Sequence, residues 1–427
     1  MYLRTPKRYR PGRRRELRLF SGRTVFLLLL ISILGAGGWL IWDNQDQVRS
    51  SVVPEIENLA GAVRTQVAPR PTPTATPNLV VAEAGCTNAY RQGDMEEAIK
   101  QCAVLAQSRP NDIDLHFTVA QMLVLTSNFG RDEERMTRAL EFAERTVNAD
   151  PEAPDGWAIR AMVLDWQGNY GAALASALHA KSVDAKFAPT YAFLGEIYHD
   201  LGQDDTALSY LNQALELDTA GVAVAYTFRT QGLVYSDQGL WEASIQPYLA
   251  ALQNAPNQAY IAIELANNYV ALGEIDKAIQ VLASTLEKNP TDTSVLFALG
   301  SAHTRNGNVD RAYEYYRRCL DVDQDNVPCL SYLGGLQWSD GDFVTASVNL
   351  ERAIELGSDD PDDYYQLGHS QAALGRCDLA VPYLQQGYQI ALQRDDARRQ
   401  ATFVNALQSC GVRANQQPSV SDDSSSE

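Results

Sequence analysis

The strongest constraint in this chain is a beat of 34 residues. Ala139, Ala173 and Ala207 are 34 apart, and after a 37-residue step to Ser244 the series resumes at Ala278, Ala312, Ala346 and Ala380. Glycines five residues upstream keep the same spacing at Gly168, Gly202, Gly239, Gly273, Gly307, Gly341 and Gly375, and Gly93 with Ala98 opens the series. Each copy reads as an apolar helical stripe, a glycine turn able to adopt the left-handed conformation, and a second stripe whose small alanine lets two helices approach closely. So short a helix pair cannot bury both faces alone, and copies must stack into one continuous core. The spacing predicts an all-α solenoid. Pro110, Pro151, Pro256 and Pro290 mark the ends of second helices. The 37-residue step marks a three-residue insertion, and the second unit has a longer turn around "SNFGRDEE".

These residues resemble the tetratricopeptide repeat family. Trp157 and Tyr191 occupy its early aromatic position, and Leu194-Gly195 and Leu299-Gly300 its leucine–glycine pair. About nine units span 79–393, and residues 394–411, with "DDARRQATFVNALQSC", read as the solvating cap helix such arrays need. The resemblance implies a right-handed superhelix whose concave face, lined mainly by first helices, binds an extended peptide or a partner's helix. Helix phase puts Met162, Asp165, Trp166, Glu196, His199, Asp200, Arg229, Leu233, Asp237, Ile263, Asn267, Phe297, Ser301, Arg305, Trp338, Tyr365 and His369 on that face. Its first half is acidic with aromatics, which suits a basic or amphipathic segment of a protein partner. Asn267 fits part of the family's clamp for a C-terminal carboxylate, but Leu233 and Ile263 stand where further clamp residues belong.

The flanks speak of a membrane. Residues 1–23 carry nine basic side chains and one acid, and abut "TVFLLLLISILGAGGWLIW" (24–42), which has no charge. At ~1.5 Å per residue that run can cross a hydrocarbon core. Trp39 and Trp42 fall where an interfacial aromatic belt would sit, and the basic flank predicts a cytoplasmic N-terminus. We read an uncleaved signal-anchor, with a cleaved signal peptide as the rival. Residues 43–78 form a juxtamembrane, Pro/Thr-rich linker ending in "APRPTPTATPN", and 412–427 an acidic tail of disordered composition. From residue 43 onward, 52 acids face 26 bases, a balance that repels nucleic acid.

Six cysteines lie beyond the apolar run, an even count that suggests disulfides outside the cytoplasm. The repeat register selects among the fifteen pairings. Cys86 and Cys102 fall on the two helices of the first unit, Cys319 and Cys329 on neighbouring helices, and Cys377 and Cys410 on the last unit and its cap. "CLDVDQDNVPC" (319–329) alternates aspartates like a calcium loop, but Asn326 and Tyr332 stand where its glycine and bidentate glutamate would be. No metal or cofactor motif is present. His116, His179, His199, His303 and His369 are scattered, with no nucleophile–base pair among them. The sequence thus points away from an enzyme and towards a membrane-anchored, extracytoplasmic scaffold that serves the assembly of an envelope complex. The absence of an N-x-S/T sequon with a permitted middle residue favours a bacterial envelope. The alternatives are a cytoplasm-facing adaptor, an envelope enzyme acting through Asp165, Glu196 and Asp200, and a self-assembling structural protein.

Overall fold

The computed structural model describes residues 79–127 and 130–412. The basic N-terminus, the apolar run 24–42, the linker 43–78 and the tail beyond Val412 lie outside them. Among the described residues no helix is long and apolar enough to cross a membrane, and the regular elements are nineteen α-helices.

Eighteen of these helices form nine pairs. Unit one joins α1 (Leu79–Gln92) to α2 (Met95–Ser108), unit two α3 (Ile113–Leu125) to α4 (Glu133–Ala149), and unit three α5 (Pro154–Trp166) to α6 (Tyr170–Val183). Units four to six are α7 (Ala188–Asp200) with α8 (Asp204–Leu217), α9 (Val224–Asp237) with α10 (Trp241–Asn254), and α11 (Ala259–Ala271) with α12 (Ile275–Lys288). Units seven to nine are α13 (Thr293–Arg305) with α14 (Val309–Val322), α15 (Val327–Ser339) with α16 (Phe343–Glu355), and α17 (Pro361–Ala373) with α18 (Cys377–Gln393). The cap, α19 (Ala397–Ser409), buries Phe403 and Leu407 against the last unit. From α2 onward each helix packs on the next, as the period requires.

The local chemistry explains the boundaries. The turn glycines of the 34-residue series, from Gly93 to Gly375, have φ between 72° and 80°, a conformation that costs a residue with a side chain about 1–2 kcal/mol. Asp112, Asp292 and Asn326 cap α3, α13 and α15 by accepting from the backbone N–H three residues on. His116, Trp157, Tyr191 and Tyr364 each direct a ring or hydroxyl group to the carbonyl six residues earlier, tying a first helix to the joint before it. The three-residue insertion resolves into two parts. The joint 218–223 is two residues longer than the joint 184–187, and α9 has 14 residues where α11 has 13. Asp218 organises that longer joint by accepting from the backbone N–H of Val222 and Ala223 at 3.0 and 2.5 Å.

Helix pairs close on one contact. A Cβ added at Gly195 would lie 2.5 Å from the Leu211 side chain, one at Gly232 2.8 Å from Tyr248, and one at Gly368 2.5 Å from Leu384. In each case the facing side chain is sixteen residues on, so the glycine at this position, preceded by leucine at Gly195 and Gly368 and by Gln231 at Gly232, is the slot that the second helix fills. The periodic alanines are buried completely, and Ser244 takes the same place in unit five.

All three expected cysteine pairs are disulfides, with Cα separations of 4.8 Å for Cys86–Cys102, 6.4 Å for Cys319–Cys329 and 5.4 Å for Cys377–Cys410. The stretch between Cys319 and Cys329 is a joint, in which Asp323 accepts from the Asp325 N–H and Asp325 pairs with Arg352 at 2.7 Å. No group of three or more potential metal ligands occurs among the described residues. The array also meets itself, because the Asn257 side-chain amide donates to the Arg91 carbonyl 166 residues away.

The glycine slot gives a signed prediction. Gly195→Ala should lower stability by roughly 1–3 kcal/mol through overpacking, outweighing the helix propensity it gains. Gly171→Ala, in a helical position with nothing within 4 Å of the added methyl, should be neutral or stabilising by up to about 1 kcal/mol. Urea unfolding of both variants reads the sign.

Candidate functional site

The face lined by first helices divides into two halves of different character. In units three to six Trp166, Glu196, Tyr226, Arg229 and Glu264 are joined by hydrogen bonds. Arg229 on α9 is fully buried and holds Glu264 on α11 in a bidentate pair, with Nε and Nη2 at 2.8 and 2.6 Å from the two carboxylate oxygens. Its Nη1 donates to Glu196 on α7 at 2.9 Å. The other Glu196 oxygen accepts from the Tyr226 hydroxyl and from the Trp166 indole N–H. The guanidinium carbon lies 5.6, 5.9 and 6.0 Å from the ring centres of Trp166, Tyr226 and Tyr260. Burial would lower the Arg229 pKa, but the two glutamates outweigh it and raise it well above its ordinary value. This is a buried cation in a cage of three aromatics, balanced by two carboxylates.

That arrangement corrects the sequence reading of the first half. Met162, Asp165, Trp166, Glu196, His199, Arg229 and Leu233 are buried, Asp200 is half-buried and Asp237 is exposed. His199 bridges Asp204 at 2.8 Å and Asp237 at 3.1 Å. Burial pulls the His199 pKa down, but the two carboxylates prevail and raise it. The acids counted as open to a basic segment are therefore engaged within the fold, Glu196 by an arginine, a tyrosine and a tryptophan. An acid–base role for Glu196 would first require dismantling that set of bonds.

Three members of the network were not among the candidates: Tyr226, Tyr260 and Glu264. The miss at Glu264 has a simple cause. Counting 34 from Arg229 lands on Ile263, whereas α11 begins 35 residues after α9. Counting from the helix starts would have found Glu264.

Units six to nine are more open. Ile263, Phe297, Ser301, Trp338, Tyr365 and His369 are half-buried, and Asn267 and Arg305 are exposed. Phe297 meets Tyr332 edge-on at 4.9 Å, and Trp338 meets Tyr365 at 6.1 Å. The Trp338 indole donates to His369 Nδ1 at 3.0 Å, which leaves the neutral ring's proton on Nε2. Phe297 and Tyr365 are 68 residues apart, two full periods, so the same surface recurs along the stack.

The first half carries a stability prediction. Arg229→Met should cost about 3–5 kcal/mol, because it leaves two buried carboxylates without a counter-charge. Adding Glu196→Gln and Glu264→Gln to that variant should recover part of the loss in urea unfolding.

Residues 188–220 and 263–326 each match the tetratricopeptide repeat family. No curated protein matches the chain. Among solved structures it is similar to yeast Tom70, at 12% identity over 80% of this chain and 91% of that one, with a TM-score of 0.52. It also overlaps Pseudomonas aeruginosa pilF, at 19% identity over 52% and 98% of the two chains with a TM-score of 0.43. A third overlap is with YrrB, described as a TPR protein with an unusual peptide-binding site, at 18% identity over 44% and 95% with a TM-score of 0.32. The likeness to Tom70 speaks to the fold alone, and the two partial overlaps carry no argument. Residues 188–220 and 263–326 therefore carry tetratricopeptide repeats, in units four, six and seven, and the same paired-helix fold runs from Leu79 to Gln393.

Proposed function

We propose that this protein is a membrane-anchored, extracytoplasmic scaffold that holds a protein partner along its first-helix face in units six to nine. Tetratricopeptide repeats are protein-interaction modules, and a binding function is the coarse reading that the fold carries. The observation behind the finer one is the contrast between the two halves. Units three to six have turned their charges inward, while Ile263, Phe297, Trp338, Tyr365 and His369 keep part of their surface open beside exposed Asn267 and Arg305. Half-buried aromatics rigidly held by neighbours suit an extended peptide or amphipathic helix, whose side chains they cover at little entropic cost. With the acids of the first half engaged, aromatic and polar contacts take the place of simple attraction for a basic segment.

Placement outside the cytoplasm draws support from the basic-then-apolar N-terminal pattern and from cysteines paired in three disulfides, which persist in oxidising compartments. Assembly of an envelope complex is the setting this placement suggests.

Cross-linking the intact protein in its membrane identifies the partner. Trp338→Ala and Tyr365→Ala should each weaken its capture roughly 30-fold, as loss of an aromatic hot spot does. Equal capture by both variants would sink the assignment to units six to nine. Cysteines in intact cells should resist a membrane-impermeant thiol reagent until reduced, and then label from outside. Thiols that are free in lysates yet protected in intact cells would reverse the orientation.

A further inference from the structure

Unit one touches a part of the array that its place in the chain does not predict. Nearest-neighbour stacking brings it against unit two, yet its turn at Gly93 lies on the joint between α10 and α11. Asn257 in that joint donates to the Arg91 carbonyl, and Gly93 comes so near the Asn257 carbonyl that a side chain there would collide with it. Burial raises the pKa of the Tyr90 phenol, and Tyr90 is among the groups that act on Tyr260. Tyr260 is the second residue of α11, and its ring faces the guanidinium of Arg229. Further along the same rim, Asp94 and Glu96 act on Asp292, whose pKa burial has already raised and whose side chain caps α13. Unit one therefore lies on the joint that leads into unit six, whose first helix carries Tyr260 and Glu264 of the Arg229 network.

What keeps it there is thin apart from one bond. In α1 only Ala82 and Ala89 are buried, against five residues in α2, and Cys86–Cys102 is the covalent tie between the two helices. Across the array, the Asn257 amide donates to the Arg91 carbonyl.

We propose that unit one is an autoinhibitory cover, held shut by the Cys86–Cys102 disulfide over the wall formed by Tyr260 and the Arg229 network. While the bond is intact, the seated unit withholds this wall from a partner. When a dithiol reductant opens the bond by thiol–disulfide exchange, leaving Cys86 and Cys102 as thiols and the reductant as its disulfide, α1 leaves and the first-helix face lengthens from units six to nine into units four and five. The regulatory meaning rests on the proposal that this face binds the partner. The physical claim does not, and its test needs no partner.

Hydrogen exchange on the full chain, compared among wild type, Cys86→Ser/Cys102→Ser and Asn257→Ala, tests the cover. Opening should speed exchange across 257–271 about tenfold or more in the double-serine variant, with 297–339 unchanged. Asn257→Ala, with every cysteine in place, should raise exchange across 86–96 and 257–271 together. If 86–96 loses protection while 257–271 keeps it, unit one covers nothing and the proposal fails. It fails equally if the double-serine variant exchanges like wild type. Should that variant lose its helical circular dichroism, the Asn257→Ala result decides alone, and unchanged exchange across 257–271 overturns the cover.

Discussion

Everything in this array depends on how closely two short helices can approach. The slot at Gly195, Gly232 and Gly368 admits the side chain sixteen residues on, and the buried alanine of each second helix removes the bulk that would hold the pair apart. The left-handed turn glycine sets the reversal that aligns slot and filler. Once one pair is closed, its outer faces remain apolar, and only another pair can cover them. Stability is therefore shared between neighbours, and the ends are the weak points. Two of the three disulfides sit there, Cys86–Cys102 in the first unit and Cys377–Cys410 between the last unit and its cap. Such bonds contribute about 2–4 kcal/mol each, mainly by restricting the unfolded chain.

The same stacking sets the faces of successive first helices side by side, and the chain uses this in two ways. In units four to six it lines up Glu196, Arg229 and Glu264 so that each charge finds its partner on the next helix. A buried triad of this kind is weak evidence for added stability, since desolvation offsets much of the attraction, but it fixes register between helices. In units seven to nine the same geometry lines up Phe297, Trp338 and Tyr365, whose rings stay partly open. One half of the face is consumed in holding itself together, and the other is left to hold something else.

The aspartate-rich stretch between Cys319 and Cys329 shows how register decides between readings of one motif. As an isolated string it alternates carboxylates like a calcium loop. In the array its residues turn the chain between α14 and α15, Asn326 caps the second helix, and Asp325 reaches Arg352. The buried cysteines on either side then join two helices already in contact.

The sequence by itself determined the repeat, the nine helix pairs, the cap and all three cysteine pairs, because these depend on local periodicity and on contacts between neighbours in the chain. Its phase also brought Trp166, Glu196 and Arg229 to the same face. It could not show that their charges cancel, since that depends on Glu264, one residue beyond the 34-residue counterpart of Arg229, and on rings from three helices converging on one guanidinium. Nor could it show that Arg91 returns to Asn257 across 166 residues of chain. Period is a property of neighbours, whereas that return sums small rotations over five units, and only the tertiary structure carries the sum.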